Sequence, residues 1–97
     1  MEFSIGLTDS AVEDLSFFRK NECRRIADAI ALFLTRDADV VTKRRKRLRP
    51  NRIATWEFRI DDYRVFYDFE TEHSVKVVAV GHKEHNDLHI RGKKVEL

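Results

Sequence analysis

Arginine, lysine and histidine side chains in the second half of the chain are the groups that could do chemistry. Arg59 and Arg64 lie in the stretch WEFRIDDYRVFY, Lys83 follows a run of β-branched residues, and histidines lie close to it. Metal-free RNA cleavage needs a base for a ribose 2′-hydroxyl, an acid for the leaving 5′-oxygen, and fixed cations for the charge of the transition state. Histidine titrates near neutrality and suits either proton-transfer role. These residue types are compatible with RNA cleavage, but many small basic domains carry them.

Positive charge is concentrated at residues 43–52. The segment KRRKRLRPNR holds seven of the 19 bases and no acid, which leaves the rest of the chain acidic despite a net charge of +2. A basic block on an acidic domain favours a polyanionic partner such as nucleic acid. The alternatives are a solvated loop and a docking edge for an acidic protein. The candidate RNA- or ribosome-binding residues are Lys43, Arg44, Arg45, Lys46, Arg47, Arg49 and Arg52.

The stretch 56–67 is predicted to be a β-hairpin that positions the two arginines. Hydrophobic and polar residues alternate in 56–60 and again in 63–67, around the turn residues Asp61 and Asp62. Trp56, Phe58 and Ile60 would share the inner face, as would Tyr63, Val65 and Tyr67. Glu57, Arg59 and Arg64 would then lie on the opposite, open face.

The remaining pattern predicts an α+β domain. Residues 2–7 alternate like a strand. The helix-cap candidates that follow are Thr8, Asp9 and Ser10, and Ser10 and Glu13 have capping-box spacing. A helix should then run to about residue 20. After a break near Asn21, a second helix should bury Ile26, Ile30, Phe33 and Leu34. Residues 43–52 are predicted to be a loop, 74–81 a central strand that leaves the sheet at Gly81, and the tail a loop or single helical turn with a possible terminal strand. The order β-α-α-β-β-β gives a mostly antiparallel sheet of about four strands, with the helix pair on one face.

Composition limits the class of protein. The 97 residues predict one domain spanning 1–97, and no apolar run approaches the roughly 20 residues needed to span a bilayer. With a single cysteine, Cys23, and no signal-peptide pattern, we expect a cytoplasmic protein without disulfides. The spacing of His82, His85 and His89 would allow a metal site on a helix, but nearby lysines disfavour it. We expect no metal, no small-molecule cofactor and no membrane partner.

The order of motifs resembles the RelE/ParE superfamily of toxins from toxin–antitoxin systems. The residues that carry the resemblance are Asp62-Tyr63-Arg64-Val65-Phe66-Tyr67, similar to the family's Y-R hairpin, and Val80-Gly81-His82-Lys83-Glu84, similar to its V-G-H-R/K ending. The resemblance covers nearly the whole chain and implies a RelE-like fold.

The superfamily implies two activities on one fold. RelE-like members cut mRNA in the ribosomal A site by 2′-hydroxyl attack, whereas ParE-like members inhibit DNA gyrase. By position, Arg64 matches the arginine that contacts the scissile phosphate, Arg59 matches a lysine on the preceding strand, and Lys83 matches an arginine after the V-G motif. His89 falls near the C-terminal tyrosine that serves in proton transfer. The resemblance therefore implies the catalytic set Arg64, Arg59, Lys83 and His89.

The chain departs from the nuclease pattern at three places. Glu57 stands where another lysine occurs, His89 replaces tyrosine, and Lys83 lacks the bidentate fork of arginine. We expect a ribosome-dependent mRNA endoribonuclease, with a gyrase inhibitor and a non-catalytic binding protein as alternatives. We expect His89 to fold back beside Arg64 as the proton-transfer residue, with His85 as the next candidate. The expected partners are the ribosome with mRNA and a small antitoxin that wraps the domain and covers Arg59 and Arg64.

Overall fold

A computed structural model describes residues 2–97 of the chain, which form an α+β domain. In the sequence, two helices follow the first strand and precede the other six strands. In chain order the elements are β1 (Ser4–Leu7), α1 (Asp9–Ser16), α2 (Lys20–Leu34), β2 (Arg45–Arg47), β3 (Trp56–Ile60), β4 (Tyr63–Thr71), β5 (Ser74–Glu84), β6 (Asp87–Ile90) and β7 (Lys93–Val95).

The sheet is antiparallel except for β1. Over residues 2–97 its seven strands follow the order β2-β3-β4-β5-β6-β7, and β1 pairs in parallel with the first half of β5. Strand β5 is the longest and lies at the centre: β4 covers one edge, while β1 and β6 share the other. The predicted central strand is confirmed, although β5 continues through Gly81 to Glu84 rather than leaving the sheet at that glycine.

The main hydrophobic core lies between the helices and one face of the sheet. Ile26, Ile30 and Leu34 of α2 are buried, as the helical spacing predicted, and Phe33 packs against the same cluster. The sheet contributes the predicted inner faces of the hairpin, with Phe58, Val65 and Tyr67 fully buried. Burial of each such side chain stabilises the fold by roughly 1.5–3 kcal/mol. The predicted hairpin and its inward face are therefore confirmed.

A smaller core lies on the open face of the sheet. Phe66 and Ala79 project from β4 and β5, and Leu88 of β6 packs against them. A Cβ added at Gly81 would lie 2.5 Å from the His89 carbonyl oxygen and 2.9 Å from Ile90 Cγ1. The glycine therefore allows β6 to pair closely with β5 at this point, which fixes the end of the sheet beside the candidate site.

The sheet has more strands than the four that the sequence predicted. Strand β2 lies inside residues 43–52, which were predicted to be a loop. In the tail, β6 forms where a loop or helical turn was predicted, and β7 is the possible terminal strand. Each of these strands is only three or four residues long and rich in charge, so it shows too few alternating positions for its periodicity to be detected. Backbone pairing with β3 and β5 supplies the order that local sequence does not.

Polar contacts fix the helices to the sheet. The Thr8 side chain caps α1 by accepting from the Ala11 amide at 3.0 Å, so the capping box predicted at Ser10 is wrong. The break predicted near Asn21 is also wrong, because α2 already begins at Lys20. Asp14 is almost fully buried: it accepts from the Val80 amide at 3.0 Å and pairs with Arg91 Nε at 2.8 Å. Helix α1 is thereby tied to both β5 and the β6–β7 turn.

Candidate nucleic-acid interface and active site

The open face of the sheet carries a cleft in which three of the four predicted catalytic residues meet. Its volume is about 650 Å³. Arg59 and Arg64 reach it from β3 and β4, where they are directly paired across the hairpin, and Lys83 reaches it from β5. The full lining is Arg59, Asp62, Arg64, Lys83, Glu84, His85 and Asn86. The hairpin alternation therefore correctly predicted the face on which Arg59 and Arg64 lie. We call this space the cationic cleft.

Glu57 lies buried beside the two arginines. Its side chain is only 4% exposed, and its Oε1 accepts from Arg59 Nε at 2.7 Å and lies 4.0 Å from Arg64 Nε. A carboxylate at this depth requires a charged partner. Glu57, which replaces a cation of the nuclease pattern, therefore acts as a counter-ion that holds Arg59 against the sheet.

The Arg64 guanidinium is held by the backbone of its own turn. Its Nη1 donates to the Asp61 and Tyr63 carbonyl oxygens at 2.8 and 2.9 Å, and its side chain is 12% exposed. Burial lowers the pKa of Arg64, an effect that the charge of Glu57 opposes, but an arginine remains protonated in proteins. The result is a permanent cation with little freedom of movement, which suits a group that stabilises negative charge at one point.

The predicted placement of His89 beside Arg64 is wrong. His89 pairs with His82, which pairs with Tyr63, and residues directly opposite each other lie on the same face of a sheet. The His82 and His89 rings stack at 5.5 Å. Arg64 follows Tyr63 in the strand and therefore points to the other face. The β6–β7 hairpin prevents the tail from folding back, and His89 remains on the helix-covered side.

His85 is the histidine that lines the cationic cleft. It occupies the β5–β6 turn with Asn86, and both have positive φ, at 53° and 69°. This conformation is uncommon for residues other than glycine, with His and Asn among the residues that tolerate it. His85 therefore lies apart from the stacked rings of His82 and His89. Over residues 2–97 no group of three or more His, Cys, Asp or Glu side chains is arranged to hold a metal ion.

The basic segment divides into one buried arginine and several exposed cations. Arg45 is buried: its Nε donates to the Val40 carbonyl at 3.0 Å and its Nη1 to the Phe33 carbonyl at 2.9 Å, near the end of α2. Its role is structural, so it differs from its neighbours. The exposed members are Lys43, Arg44, Lys46, Arg47, Arg49 and Arg52. Among them Lys46 pairs with Glu57 across β2 and β3, on the same face as the cationic cleft.

A second cavity of about 450 Å³ lies on the helix-covered side of the same hairpin. Tyr63 donates from its hydroxyl to Glu22 Oε2 at 2.6 Å, and this bond raises the pKa of Tyr63 to about 12 and lowers that of Glu22. Arg25 pairs with Asp61 at the cavity rim. Lys83 and Asp62 line both this cavity and the cationic cleft, so the two spaces adjoin at the β3–β4 turn.

Two features of the site were not predicted from the sequence. The burial of Glu57 was not foreseen, although its alternation with Phe58 gave its face. The selection of His85 over His89 depends on the β5–β6 turn, whose short charged strands gave no clear signal.

No helix within residues 2–97 is both long enough and apolar enough to cross a membrane.

Comparison with known proteins identifies the class to which this fold and site belong. The sequence model for the ParE toxin of type II toxin–antitoxin systems matches residues 5–87. The chain therefore belongs to the ParE toxin family, within the RelE/ParE superfamily that its motifs resemble. No curated protein sequence matches the chain.

Solved structures show the same fold. The toxin–antitoxin complex RelBE2 from Mycobacterium tuberculosis contains a chain that superposes with a TM-score of 0.72 at 23% identity, covering 86% of this chain and 100% of that one. The archaeal RelE–RelB complex from Pyrococcus horikoshii contains another, with a TM-score of 0.66 at 18% identity, covering 88% and 99%. At these identities the likeness shows the fold alone.

Proposed function

We propose that this toxin is a ribosome-dependent mRNA endoribonuclease that needs no metal and inhibits translation. The observation that carries the proposal is the convergence of Arg59, Arg64, Lys83 and His85 on one open cleft. Together they provide the guanidinium cations of Arg59 and Arg64, the imidazole of His85 and the ammonium of Lys83. Phosphodiester cleavage by a 2′-hydroxyl requires cations and proton-transfer groups of this kind.

The proposed reaction follows from the position of each group. Arg64 and Arg59 hold the non-bridging oxygens of the scissile phosphate, and neutral His85 takes the proton from the 2′-hydroxyl. The 2′-oxygen bonds to phosphorus as the bond to the 5′-oxygen breaks. Lys83, which lines the cleft and donates from its Nζ to the Asn86 carbonyl oxygen at 3.4 Å, protonates the leaving oxygen. The products are a 2′,3′-cyclic phosphate and a 5′-hydroxyl end.

The exposed cations of the basic segment supply the proposed ribosome contact. Lys46 and Arg47 belong to β2, which leaves them exposed at one edge of the sheet. Charges of this kind bind RNA phosphates and release counter-ions, so the affinity should fall steeply with salt. Arg45 is excluded from this contact because its guanidinium is already bound to two carbonyl oxygens.

We also propose a protein antitoxin as partner. Both solved structures compared above are named as toxin–antitoxin or RelE–RelB complexes. Exposed apolar side chains on and beside the helices, such as Val12 and Leu32, would suit an amphipathic partner helix. The partner would also cover the cationic cleft with an acidic segment.

Gyrase inhibition is the second candidate because the family model that matches is that of ParE. Buried Glu57 favours it as well, since this carboxylate partly neutralises the cleft. A gyrase inhibitor would act by binding and would not need His85 as a proton-transfer group.

One expression experiment separates the two candidates. Wild-type protein and Arg64→Ala are expressed under tight control, and cellular mRNA is profiled for new 5′-hydroxyl ends while plasmid supercoiling is measured in parallel. We expect wild type to produce cleavage ends within translated codons and leave supercoiling unchanged, and Arg64→Ala to produce none. Altered supercoiling without new ends would establish the gyrase candidate instead.

A further inference from the structure

Phe17 is an exposed aromatic residue held in a fixed position beside the second cavity. It lies between α1 and α2, and 51% of its surface is exposed, although a phenylalanine gains nothing from contact with water. Phe18 packs edge-on against its ring at 5.5 Å. A Cβ placed on Gly92 would lie 3.4 Å from the same ring, so the β6–β7 turn supports it from another side.

Phe17 ends a stack of three flat rings. It lies almost parallel to His82, with an interplanar angle of 13° and centroids 6.1 Å apart, and His82 stacks in turn on His89. These separations are within the range of offset stacking. Phe17 is both exposed and part of the cavity lining, so its ring can contact a ligand in the cavity.

The cavity beside this ring suits a planar polar ligand. Besides Phe17 and His82, the cavity is lined by Tyr63 and Phe18 together with charged groups from α2 and the β3–β4 turn. Glu22 and Asp61 are engaged by Tyr63 and Arg25, so the lining is held in place without a ligand. The cavity adjoins the cationic cleft through Lys83, which lines both.

We propose that this cavity, with Phe17 as its stacking platform, binds one nucleobase of single-stranded RNA. The inference rests on the proposed function, because the nucleotide would neighbour the one whose phosphate lies in the cationic cleft. Lys83 lies where the connecting backbone must cross from one space to the other around the β3–β4 turn. Aromatic stacking accepts every base, but a purine presents the larger face, so the site should favour a purine at one position beside the cleavage point.

The test uses short single-stranded RNAs with 2′-O-methyl sugars, which cannot be cleaved, and with 2-aminopurine placed at one position at a time. The fluorescence of 2-aminopurine falls when the base stacks. We expect wild-type protein to quench one position strongly. Phe17→Ala should abolish that quenching and weaken binding about 10-fold, the scale of one lost stacking contact.

Matched variants separate stacking from other effects. Phe17→Tyr preserves the flat ring and should bind like wild type, whereas Phe17→Leu preserves apolar surface and should behave like Phe17→Ala. Val41→Ala removes another highly exposed apolar side chain, outside both spaces, and should leave RNA binding and quenching unchanged. Circular dichroism verifies that each variant is folded, which is expected because both residues are exposed.

The outcomes distinguish this inference from the proposed function. If wild type cleaves mRNA but Phe17→Ala quenches, binds and selects codons as wild type does, the base site is overturned and the nuclease stands. If quenching depends on Phe17 but wild type never cleaves mRNA, the base site stands and the nuclease is overturned. Absence of quenching at every position, with wild type and with Phe17→Tyr, would overturn the base site.

Discussion

Tyr63 and Arg64 are neighbours in β4, but they face two differently organised sides of the same hairpin. On the helix-covered side, Tyr63 and Asp61 are bound to Glu22 and Arg25 of α2, so these four polar side chains already have partners. On the open side, Arg59 and Arg64 share the single buried carboxylate of Glu57, and Arg64 Nε has no hydrogen-bond partner within residues 2–97.

This difference shows how one hairpin can separate stability from function. The contacts to α2 fix the turn from which the Asp61 and Tyr63 carbonyl oxygens hold Arg64. The helix side therefore positions the guanidinium, while the open side leaves its charge available for a ligand. We propose that chemistry occurs on the open side, whereas the helix side is structural or binds a base.

The largest expected effect is the difference in cleavage rate between His85→Ala and His89→Ala. We expect His85→Ala to lower the rate of mRNA cleavage on programmed ribosomes about 10²- to 10⁴-fold, the usual contribution of a general acid or base. His89→Ala should retain most of the activity because that ring lies on the other side. The reverse result, with His89→Ala inactive, would place proton transfer on the helix side.

The same contrast between buried and exposed groups divides the basic segment. Arg45→Ala leaves the Phe33 and Val40 carbonyls without their donor, and loss of hydrogen bonds from a charged group should destabilise the fold by about 1.5–3 kcal/mol. Arg47→Ala removes only a cation–π contact with Trp56 and should lower stability by no more than about 0.5–1 kcal/mol. It should instead flatten the log–log salt dependence of ribosome binding by about one. Thermal denaturation and a binding series over salt concentration check both variants, and equal slopes for Arg47→Ala and wild type would remove this residue from the ribosome contact.

Tyr63→Phe tests the structural role of the helix side with a smaller effect. Loss of the hydroxyl bond to Glu22 should lower stability slightly at neutral pH. The raised pKa of Tyr63 means that folding favours the protonated phenol. The contribution should therefore be complete below pH 10 and be lost as pH rises through about 12.

The lowered pKa of Glu22 gives the opposite dependence in acid. Folding favours the ionised carboxylate, so its contribution is present above the ordinary glutamate pKa of about 4.5 and is lost as pH falls below it. Denaturation of wild type and Tyr63→Phe over pH measures both limits. A stability difference that is constant from pH 3 to 12 would mean that this hydrogen bond does not contribute.

The sequence predicted the parts of the fold that have long, regular patterns. The alternation in 56–60 and 63–67 gave the hairpin and the face of Arg64, and the helical spacing of Ile26, Ile30 and Leu34 gave the packed side of α2. The family motifs gave the superfamily.

The parts that the sequence did not predict depend on contacts between distant segments. Strand β2 and the β6–β7 hairpin are too short to show a period, and their order comes from pairing with β3 and β5. The predicted position of His89 beside Arg64 assumed that the tail is a loop or helical turn that folds back. In the structure, paired strands hold His89 beside His82. The burial of Arg45 could not be read from a run of bases, because it depends on carbonyl groups near the end of α2.

The most direct test of the cationic cleft is single-turnover cleavage of mRNA on programmed ribosomes by wild type, Arg64→Ala and Arg36→Ala. Arg36 is an exposed arginine whose ion pair with Glu2 spans 3.8 Å, and it serves as the matched control. We predict that Arg64→Ala slows cleavage about 10²- to 10³-fold, the effect of removing one transition-state contact, with ribosome binding and folding retained and Arg36→Ala unchanged. Cleavage by folded Arg64→Ala at the wild-type rate would contradict the assignment of the chemistry to the open face.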